Sequence, residues 1–212
     1  MSAGLARIDR VVTAGQFRLD GGVWDVENNV WIVGDDSECV IIDAAHDADL
    51  IAAEVGGRDV TAILCTHGHN DHVNAAVALA EYTGAPILLH PADRVLWDQT
   101  HPNRGPDHAL ADGQTLTVAG LDLHVLHTPG HAPGACSFHV PELIALFSGD
   151  TLFAGGPGAT GRSYSDFGTI IESIRDRLLS LPPETVVHTG HGDRTTIEAE
   201  APHLDEWIAR GH

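Results

Sequence analysis

The sequence predicts an α+β fold in which helices pack on two β-sheets. Short apolar runs typical of buried strands alternate with helix-like stretches, and the alternation recurs in two rough halves of the chain. Polar residues of metal-ligand type directly follow several apolar runs, as is common where strand ends carry a functional site. These patterns favour two sheets with helices over an all-β barrel. No change in composition indicates a linker, so we predict a single domain over residues 1–212.

The first half contains four predicted strands and two predicted helices. Apolar, β-branched runs predict strands at residues 23–33, 39–42, 60–65 and 86–90. Leu50, Ile51 and Val55 recur at helical spacing before a glycine pair, which predicts a helix over residues 47–55. An alanine-rich run predicts a second helix over residues 73–83, and the polar, proline-containing residues 93–113 predict a mobile loop.

The second half is predicted to begin with strands and to end with helices. Short apolar runs predict strands at residues 115–118, 121–126, 135–140, 143–147 and 186–188. Residues 155–168 form a glycine-rich loop. Apolar residues fall on one face over residues 169–181, which predicts an amphipathic helix, and residues 197–210 are predicted to close the chain with another helix.

Composition limits the classes of function. The chain has 11 basic residues, all arginine, against 30 acidic ones, which gives a formal net charge of −19. So acidic a surface repels phosphate backbones and argues against nucleic acid as a partner. No apolar run reaches the ~18 residues of a membrane span, and no signal-peptide pattern is seen. Three dispersed cysteines indicate reduced thiols. We therefore expect a cytoplasmic protein without a membrane partner, and its oligomeric state stays open.

The densest functional signal lies in the run Thr-His-Gly-His-Asn-Asp-His at residues 66–72. Within six positions it holds four candidate metal ligands, namely His67, His69, Asp71 and His72. Neutral imidazoles and carboxylates are the ligands that zinc and similar first-row cations prefer. Three more candidate ligands follow apolar runs with a small residue or glycine before them, and these are His131, Asp150 and His191.

These seven residues exceed the four protein ligands of a closed structural zinc site, so the sequence implies two divalent cations. Zinc is the preferred identity, with iron or manganese as alternatives. Two such cations would share a nucleophilic hydroxide and polarise a carbonyl group. No strong general acid is evident, which suits a thioester because a thiol has a pKa near ~8.5 and leaves readily as thiolate. Asp71 is a candidate proton shuttle.

The motifs Thr-His-x-His-x-Asp-His, Pro-Gly-His, Gly-Asp-Thr and Gly-His-Gly, in this order, resemble those of the metallo-β-lactamase superfamily over residues 28–200. Residues 150–153 and 161–164 make the chain similar to glyoxalase II-type thioester hydrolases within it. The resemblance implies an αββα sandwich of two mixed sheets flanked by helices. It also implies one metal held by His67, His69 and His131, a second held by Asp71, His72 and His191, and Asp150 as the catalytic bridge between them.

The resemblance also bears on the substrate, which we expect to be a small-molecule acyl thioester. It places Arg162 and Tyr164 where such enzymes contact the thiol carrier, although Arg162 has an alternative partner in Asp166. The residues after His191 lack the aromatic residue of glutathione-using relatives, which favours another low-molecular-weight thiol, such as mycothiol. β-Lactamases of this fold generally have cysteine at the position of Asp150, so the carboxylate argues against β-lactam hydrolysis.

Several alternatives stay open. A persulfide dioxygenase-like oxidoreductase needs one iron, for which two histidines and one carboxylate, His67, His131 and Asp150, suffice. That function would leave Asp71, His72 and His191 unused, so the hydrolase is favoured. A metal-dependent binding module without turnover is the third possibility. Asp43 either orients a ligand or is a turn residue, and His46 is expected to be a surface or turn residue.

Overall fold

The computed structural model describes residues 5–211 and has four layers in the order helix, sheet, sheet, helix, as the predicted αββα sandwich requires. The strands are β1 (Arg7–Leu19), β2 (Gly22–Gly34), β3 (Glu38–Ile42), β4 (Asp59–Leu64), β5 (Ile87–Leu89), β6 (His108–Ala109), β7 (Thr115–Val118), β8 (Leu121–His127), β9 (Cys136–Val140), β10 (Ala145–Gly149), β11 (Leu152–Phe153), β12 (Gly156–Pro157), β13 (Val186–Thr189) and β14 (Thr195–Thr196). The α-helices are α1 (Ala48–Val55), α2 (Asn70–Val73), α3 (Ala76–Thr83), α4 (Arg94–Thr100), α5 (Phe167–Ser173), α6 (Ile197–Glu200) and α7 (Leu204–Arg210). None of the helices described is long and apolar enough to cross a membrane. The ends of the predicted domain, residues 1–4 and 212, lie outside the described part of the chain.

Both large sheets are mixed. The first has the order β1-β2-β3-β4-β5-β6, with antiparallel pairing up to β3 and parallel pairing from β3 onward. The second has the order β14-β13-β10-β9-β8-β7, and its parallel pair is β10 with β13. β11 and β12 form a small separate hairpin.

The central strands are buried on both faces. In β3, Val40 and Ile42 contribute to the core between the sheets, whereas Ile41 packs in the core beneath helices α1 and α3. A strand covered on both faces needs apolar residues at every position, which explains the continuous apolar run that predicts it. A third core, which includes Leu146 and Trp207, lies between the second sheet and the C-terminal helices.

The carboxyl ends of β4, β10 and β13 meet at one edge of the sandwich. Gly149 of β10 is paired with Thr189 of β13, so the loops after these parallel strands start side by side. The loop after β4 is held against the second sheet, because the N–H of Cys136 at the start of β9 donates to the Thr66 carbonyl at 2.7 Å. Gly149 lies against Thr66 with a φ of 50°, and a Cβ there would overlap the threonine side chain, so the approach of the two sheets requires glycine.

The structure corrects several predicted elements. The loop expected over residues 93–113 contains helix α4, whose Trp97 is fully buried and donates through Nε1 to the Arg104 carbonyl at 2.6 Å. The helix expected over residues 73–83 begins at Ala76 as α3, and the separate short helix α2 precedes it. The helix expected over residues 169–181 begins as α5 and continues as a π-helical turn over Ile174–Leu178. The helix expected over residues 197–210 is interrupted by a 3-10 turn that contains Pro202.

We predict that Trp97→Ala destabilises the protein by about 3–5 kcal/mol, because it leaves a large cavity beneath the first sheet. Urea unfolding of the metal-free protein measures the change. Val95→Ala on the same helix is the matched control, since Val95 is 43% exposed and is expected to change the free energy of unfolding by less than about 0.5 kcal/mol. Equal effects of the two substitutions would contradict the assignment of α4 to the core.

Candidate metal centre

The structure brings all seven predicted ligands to the edge where the strand ends meet. Loops after strands supply five of them: His67 and His69 follow β4, His131 follows β8, Asp150 follows β10 and His191 follows β13. The other two, Asp71 and His72, lie in the short helix α2. The side chains fall into two groups that meet at Asp150.

The first group consists of three imidazoles. His67, His69 and His131 each present a ring nitrogen, and these atoms lie within 4.8 Å of one another. The Nδ1 atom of His69 is 3.0 Å from the Nε2 atom of His131. Since the three residues come from loops of both sheets, this group forms only when the sheets are packed together.

The second group consists of two imidazoles and a carboxylate. The donor atoms of Asp71, His72 and His191 also lie within 4.8 Å of one another. The two ring Nε2 atoms are 3.2 Å apart, and Asp71 Oδ2 is 3.4 Å from the Nε2 atom of His191.

Asp150 lies between the two groups. One of its carboxylate oxygens is 3.5 Å from His131 Nε2 and 3.4 Å from His191 Nε2, and the other is 3.4 Å from His72 Nε2. Gly190 packs against this carboxylate, and a Cβ at that position would overlap Asp150 Oδ1. The glycine before His191 is therefore needed to admit the bridging side chain.

Hydrogen bonds on the outer side of the rings orient three of the histidines. His72 Nδ1 donates to Asp43 Oδ2 at 2.9 Å, and His131 Nδ1 donates to the Ala159 carbonyl at 2.8 Å. His191 Nδ1 donates to the Glu27 carbonyl at 2.7 Å. A neutral imidazole that donates through Nδ1 keeps its lone pair on Nε2, so all three rings present a metal-binding atom to the centre.

Asp43 fixes His67 through Thr66. The Thr66 hydroxyl donates to Asp43 Oδ2 at 2.7 Å, so its oxygen is left to accept from His67 Nδ1 at 3.0 Å. Asp43 also accepts from the Thr66 backbone N–H at 2.7 Å. Asp43 lies within ligand distance of His67 and His72, but its oxygens are engaged by these hydrogen bonds. Of its two predicted roles, the structure supports the orienting one.

The donor set fits bound cations. Buried atoms of the cluster without a hydrogen-bond partner among residues 5–211 include His67 Nε2, Asp71 Oδ1 and Asp150 Oδ1. Buried polar atoms are normally satisfied, so several unpartnered donor atoms in one cluster indicate a site for a cation. Donors 2.0–2.1 Å from a shared tetrahedral zinc lie about 3.3 Å apart. The spacings here, from 3.0 Å to 3.5 Å, match that geometry.

Burial and the two carboxylates control the protonation of the cluster. Burial lowers the pKa of His69 to about 3 and holds that of His67 well below its usual value. Burial also opposes protonation of His191, but Asp150 and Asp71 outweigh it and raise the pKa to about 10. The carboxylates raise the pKa of His72 in the same way. Positive charge beside the carboxylates is therefore favoured, whether protons or a cation supply it.

Two buried residues that hold this centre together were not predicted. Asn28, which is fully buried in β2, donates from Nδ2 to Asp71 Oδ2 at 3.1 Å. Asp93 accepts from the Gly68 N–H at 2.7 Å and from the Gly134 N–H, so it ties the loop of His67 to the loop of His131. Burial raises the pKa of Asp93 to about 6. An asparagine pair within an apolar strand is a sequence signal for Asn28, whereas Asp93 has no local signal.

A cavity of about 230 Å³ opens onto the cluster. Phe17, Trp24 and Val26 of the β1–β2 hairpin form its apolar wall. Arg162 also lines the cavity, with its guanidinium 3.9 Å from the centroid of the Trp24 ring. A larger groove of about 540 Å³ lies on the other side of His69, between β1 and α4.

Of the two residues predicted to contact the substrate, one lines the cavity and the other does not. Arg162 lines the cavity, and the alternative pairing with Asp166 is wrong, because that carboxylate instead caps α5 by accepting from the Thr169 N–H at 2.7 Å. Tyr164 is 49% exposed and is not part of the cavity lining found within residues 5–211. Its contact with substrate stays a prediction.

We predict that cation uptake releases protons near pH 7, because the neighbouring carboxylates raise the pKa of His72 and of His191 and favour protonated imidazole until a cation replaces the charge. Below the pKa of about 10 for His191, the metal must displace this proton, so cation affinity falls as the pH falls. Calorimetric zinc titrations in buffers of different ionisation enthalpy measure the proton count. A heat of binding that is independent of the buffer would contradict the prediction.

The comparisons agree with this geometry. The family model of the metallo-beta-lactamase superfamily matches residues 23–191. The chain is 33% identical over 194 residues to the hydroxyacylglutathione hydrolase GloC of Haemophilus influenzae, covering 84% of this chain and 87% of that protein. The crystal structure of the BLEG-1 B3 metallo-beta-lactamase is similar with a TM-score of 0.78 and 30% identity, covering 92% and 99% of the two chains. That of TTHA1623 in a di-iron-bound form has a TM-score of 0.75 and 36% identity, covering 83% and 93%. The chain belongs to the metallo-β-lactamase superfamily of metal-dependent enzymes, as its motifs predicted.

Proposed function

We propose that the protein is a binuclear metal-dependent hydrolase of small acyl thioesters. The observation that carries this proposal is the position of Asp150 between two three-donor groups, within 3.5 Å of ring nitrogens of both. The first cation is assigned to His67, His69 and His131, the second to Asp71, His72 and His191, and Asp150 to both. Zinc is the proposed metal, and the di-iron form of TTHA1623 makes iron an alternative.

When bound, two such cations supply a water nucleophile of lowered pKa and an electrophile for the substrate carbonyl. The chain itself contributes orientation. Asp43 and the Glu27 carbonyl hold the rings of His72 and His191 so that both Nε2 atoms face the second position. The Ala159 carbonyl does the same for His131 at the first.

The residues around the cavity favour a leaving group that departs without a proton. The carboxylates that line it are Asp71 and Asp150, and both accept contacts from neighbouring imidazoles rather than donate a proton. A thiolate leaves more readily than an alkoxide because a thiol has a pKa near ~8.5. This favours a thioester over an oxygen ester. Asp71 remains the candidate proton shuttle, since its Oδ1 atom has no partner among the described residues.

The cavity also suggests how the substrate is held. Its apolar wall of Phe17, Trp24 and Val26 suits a small acyl group. Arg162 is placed to contact an anionic group of the substrate, because it lines the cavity with its guanidinium 3.9 Å from the centroid of the Trp24 ring. The relative GloC is named for a thioester of glutathione. The carrier here is a low-molecular-weight thiol, either glutathione or another such as mycothiol.

The proposal predicts that the zinc-loaded protein hydrolyses lactoylglutathione or the corresponding mycothiol thioester faster than the matching oxygen ester. His72→Ala is expected to lower kcat by at least about a hundredfold, because it removes a donor of the second cation position. Thiol release and circular dichroism measure activity and folding. His139→Ala is the control, since His139 is half-buried on β9 and its ring faces His124.

Two results would contradict the proposal. Retained thioesterase activity in His72→Ala would contradict a binuclear mechanism. One iron per chain, with oxygen consumption in the presence of a persulfide, would indicate the mononuclear oxidoreductase that needs only His67, His131 and Asp150. A cephalosporin belongs in the substrate panel because a B3 metallo-beta-lactamase shares the fold, and we expect no turnover of it.

We predict that Arg162→Ala raises KM for an anionic thioester about tenfold and leaves kcat nearly unchanged, since the lost contact holds the substrate equally before and during the reaction. Steady-state kinetics measures the split. Arg175→Ala is the matched control, because Arg175 is an exposed arginine paired with its neighbour Asp176. A fall in kcat without a change in KM would argue against a substrate-binding role for Arg162.

A further inference from the structure

A polar network behind the second metal group has no role in the function proposed so far. It consists of Asn28, His46 and Asn74, which lie on β2, on the loop after β3 and directly after α2. His46 was expected to be a surface or turn residue, but its ring is half-buried and both ring nitrogens have partners within the protein.

His46 has an unfavourable backbone conformation, with a φ of 62°. A side chain other than glycine in this region costs roughly 1–2 kcal/mol, so it persists only where surrounding contacts enforce it. Asn74 supplies two such contacts: its Oδ1 accepts from the His46 backbone N–H at 2.6 Å, and its Nδ2 donates to His46 Nδ1 at 2.9 Å. Gly15 supplies a third, because a Cβ there would overlap the imidazole.

These contacts determine the tautomer of His46. Because Nδ1 accepts from the Asn74 amide, the proton of the neutral ring lies on Nε2. Nε2 donates to Asn28 Oδ1 at 2.9 Å. An amide whose oxygen is engaged on one side must present its NH2 group on the other.

The NH2 group of Asn28 faces the second metal group. Nδ2 donates to Asp71 Oδ2 at 3.1 Å, and Asp71 Oδ1 is left without a hydrogen-bond partner among residues 5–211. If the Asn28 amide were turned around, its carbonyl oxygen would lie against the carboxylate and repel it. His46 prevents that rotation, and Asn74 keeps His46 in place.

We propose that His46 is a positioning residue for the second cation position, formed by Asp71, His72 and His191, and that it acts through Asn28. The inference rests on the binuclear part of the proposed function but not on the thioester substrate. A partner that orients a metal ligand from behind typically changes metal affinity by about 10–100-fold when it is removed.

The test measures zinc binding alone, by competition of the metal-free protein with a chromophoric chelator. Wild type is expected to bind two zinc ions per chain. His46→Ala and Asn74→Ala are expected to weaken one binding step by about 10–100-fold and to leave the other unchanged. His139→Ala, the half-buried control histidine on β9, is expected to change neither step.

Two further variants separate positioning from general destabilisation. His46→Gln keeps an N–H donor at nearly the reach of Nε2 and is expected to restore most of the lost affinity. The double substitution of His46 and Asn28 by alanine is expected to bind the second zinc no more weakly than Asn28→Ala alone, because the two residues act in series.

The possible outcomes are distinguishable. Unchanged affinity for both zinc ions in His46→Ala, or equal weakening of both steps, would overturn the inference while leaving the hydrolase proposal intact. Additive losses in the double variant would show that His46 does not act through Asn28 and would also overturn it. A wild-type protein that binds one zinc would overturn the binuclear proposal and this inference together.

Discussion

The burial of two ionised carboxylates constrains this molecule more than any other feature. Asp71 and Asp150 lie at the edge of the sandwich beside five imidazoles, Asp71 buried and Asp150 with 11% of its side chain exposed, and a buried charge without a partner costs several kcal/mol. Burial favours the neutral acid, yet the neighbouring imidazoles and hydrogen bonds lower the pKa of Asp71 to about 2. The fold therefore maintains negative charge at this edge, and positive charge from cations or from protonated imidazoles compensates it.

The same constraint explains how the two sheets meet. Donors come from loops of both sheets, so the loops must approach more closely than ordinary side chains allow. Gly149 and Gly190 provide that approach, since a Cβ at either position would overlap Thr66 or Asp150. The Asp93 carboxylate accepts hydrogen bonds from backbone N–H groups of the two loops that carry His67 and His131, and so holds these loops together. Packing, backbone conformation and ligand orientation therefore all help to bring the ligand side chains together around the two carboxylates.

The ligands and the layers could be predicted from the sequence because each leaves a short local pattern. His131, Asp150 and His191 each follow an apolar run, and strands covered on both faces are continuously apolar. Asp93 could not be predicted, because its partners are 25 and 41 residues away along the chain. The contacts of His46 could not be predicted, because they depend on Gly15 and Asn74, which reach it only in the folded protein. Helix α4 was missed because one buried face, marked by Trp97, lies within a polar sequence.

Charge also limits how a substrate can reach the site. With a formal net charge of −19, the molecule as a whole repels anions, so long-range attraction cannot deliver an anionic substrate. Recognition must therefore be local and begin at contact. Several arginines here form ion pairs at the surface, whereas Arg162 lies over Trp24 at the cavity. In the function proposed here, two bound cations would add their charge to that of Arg162 and offset the carboxylates of the cavity. Such a site would suit small anionic acyl groups or carriers better than larger polyanions, which would also contact the repulsive surface.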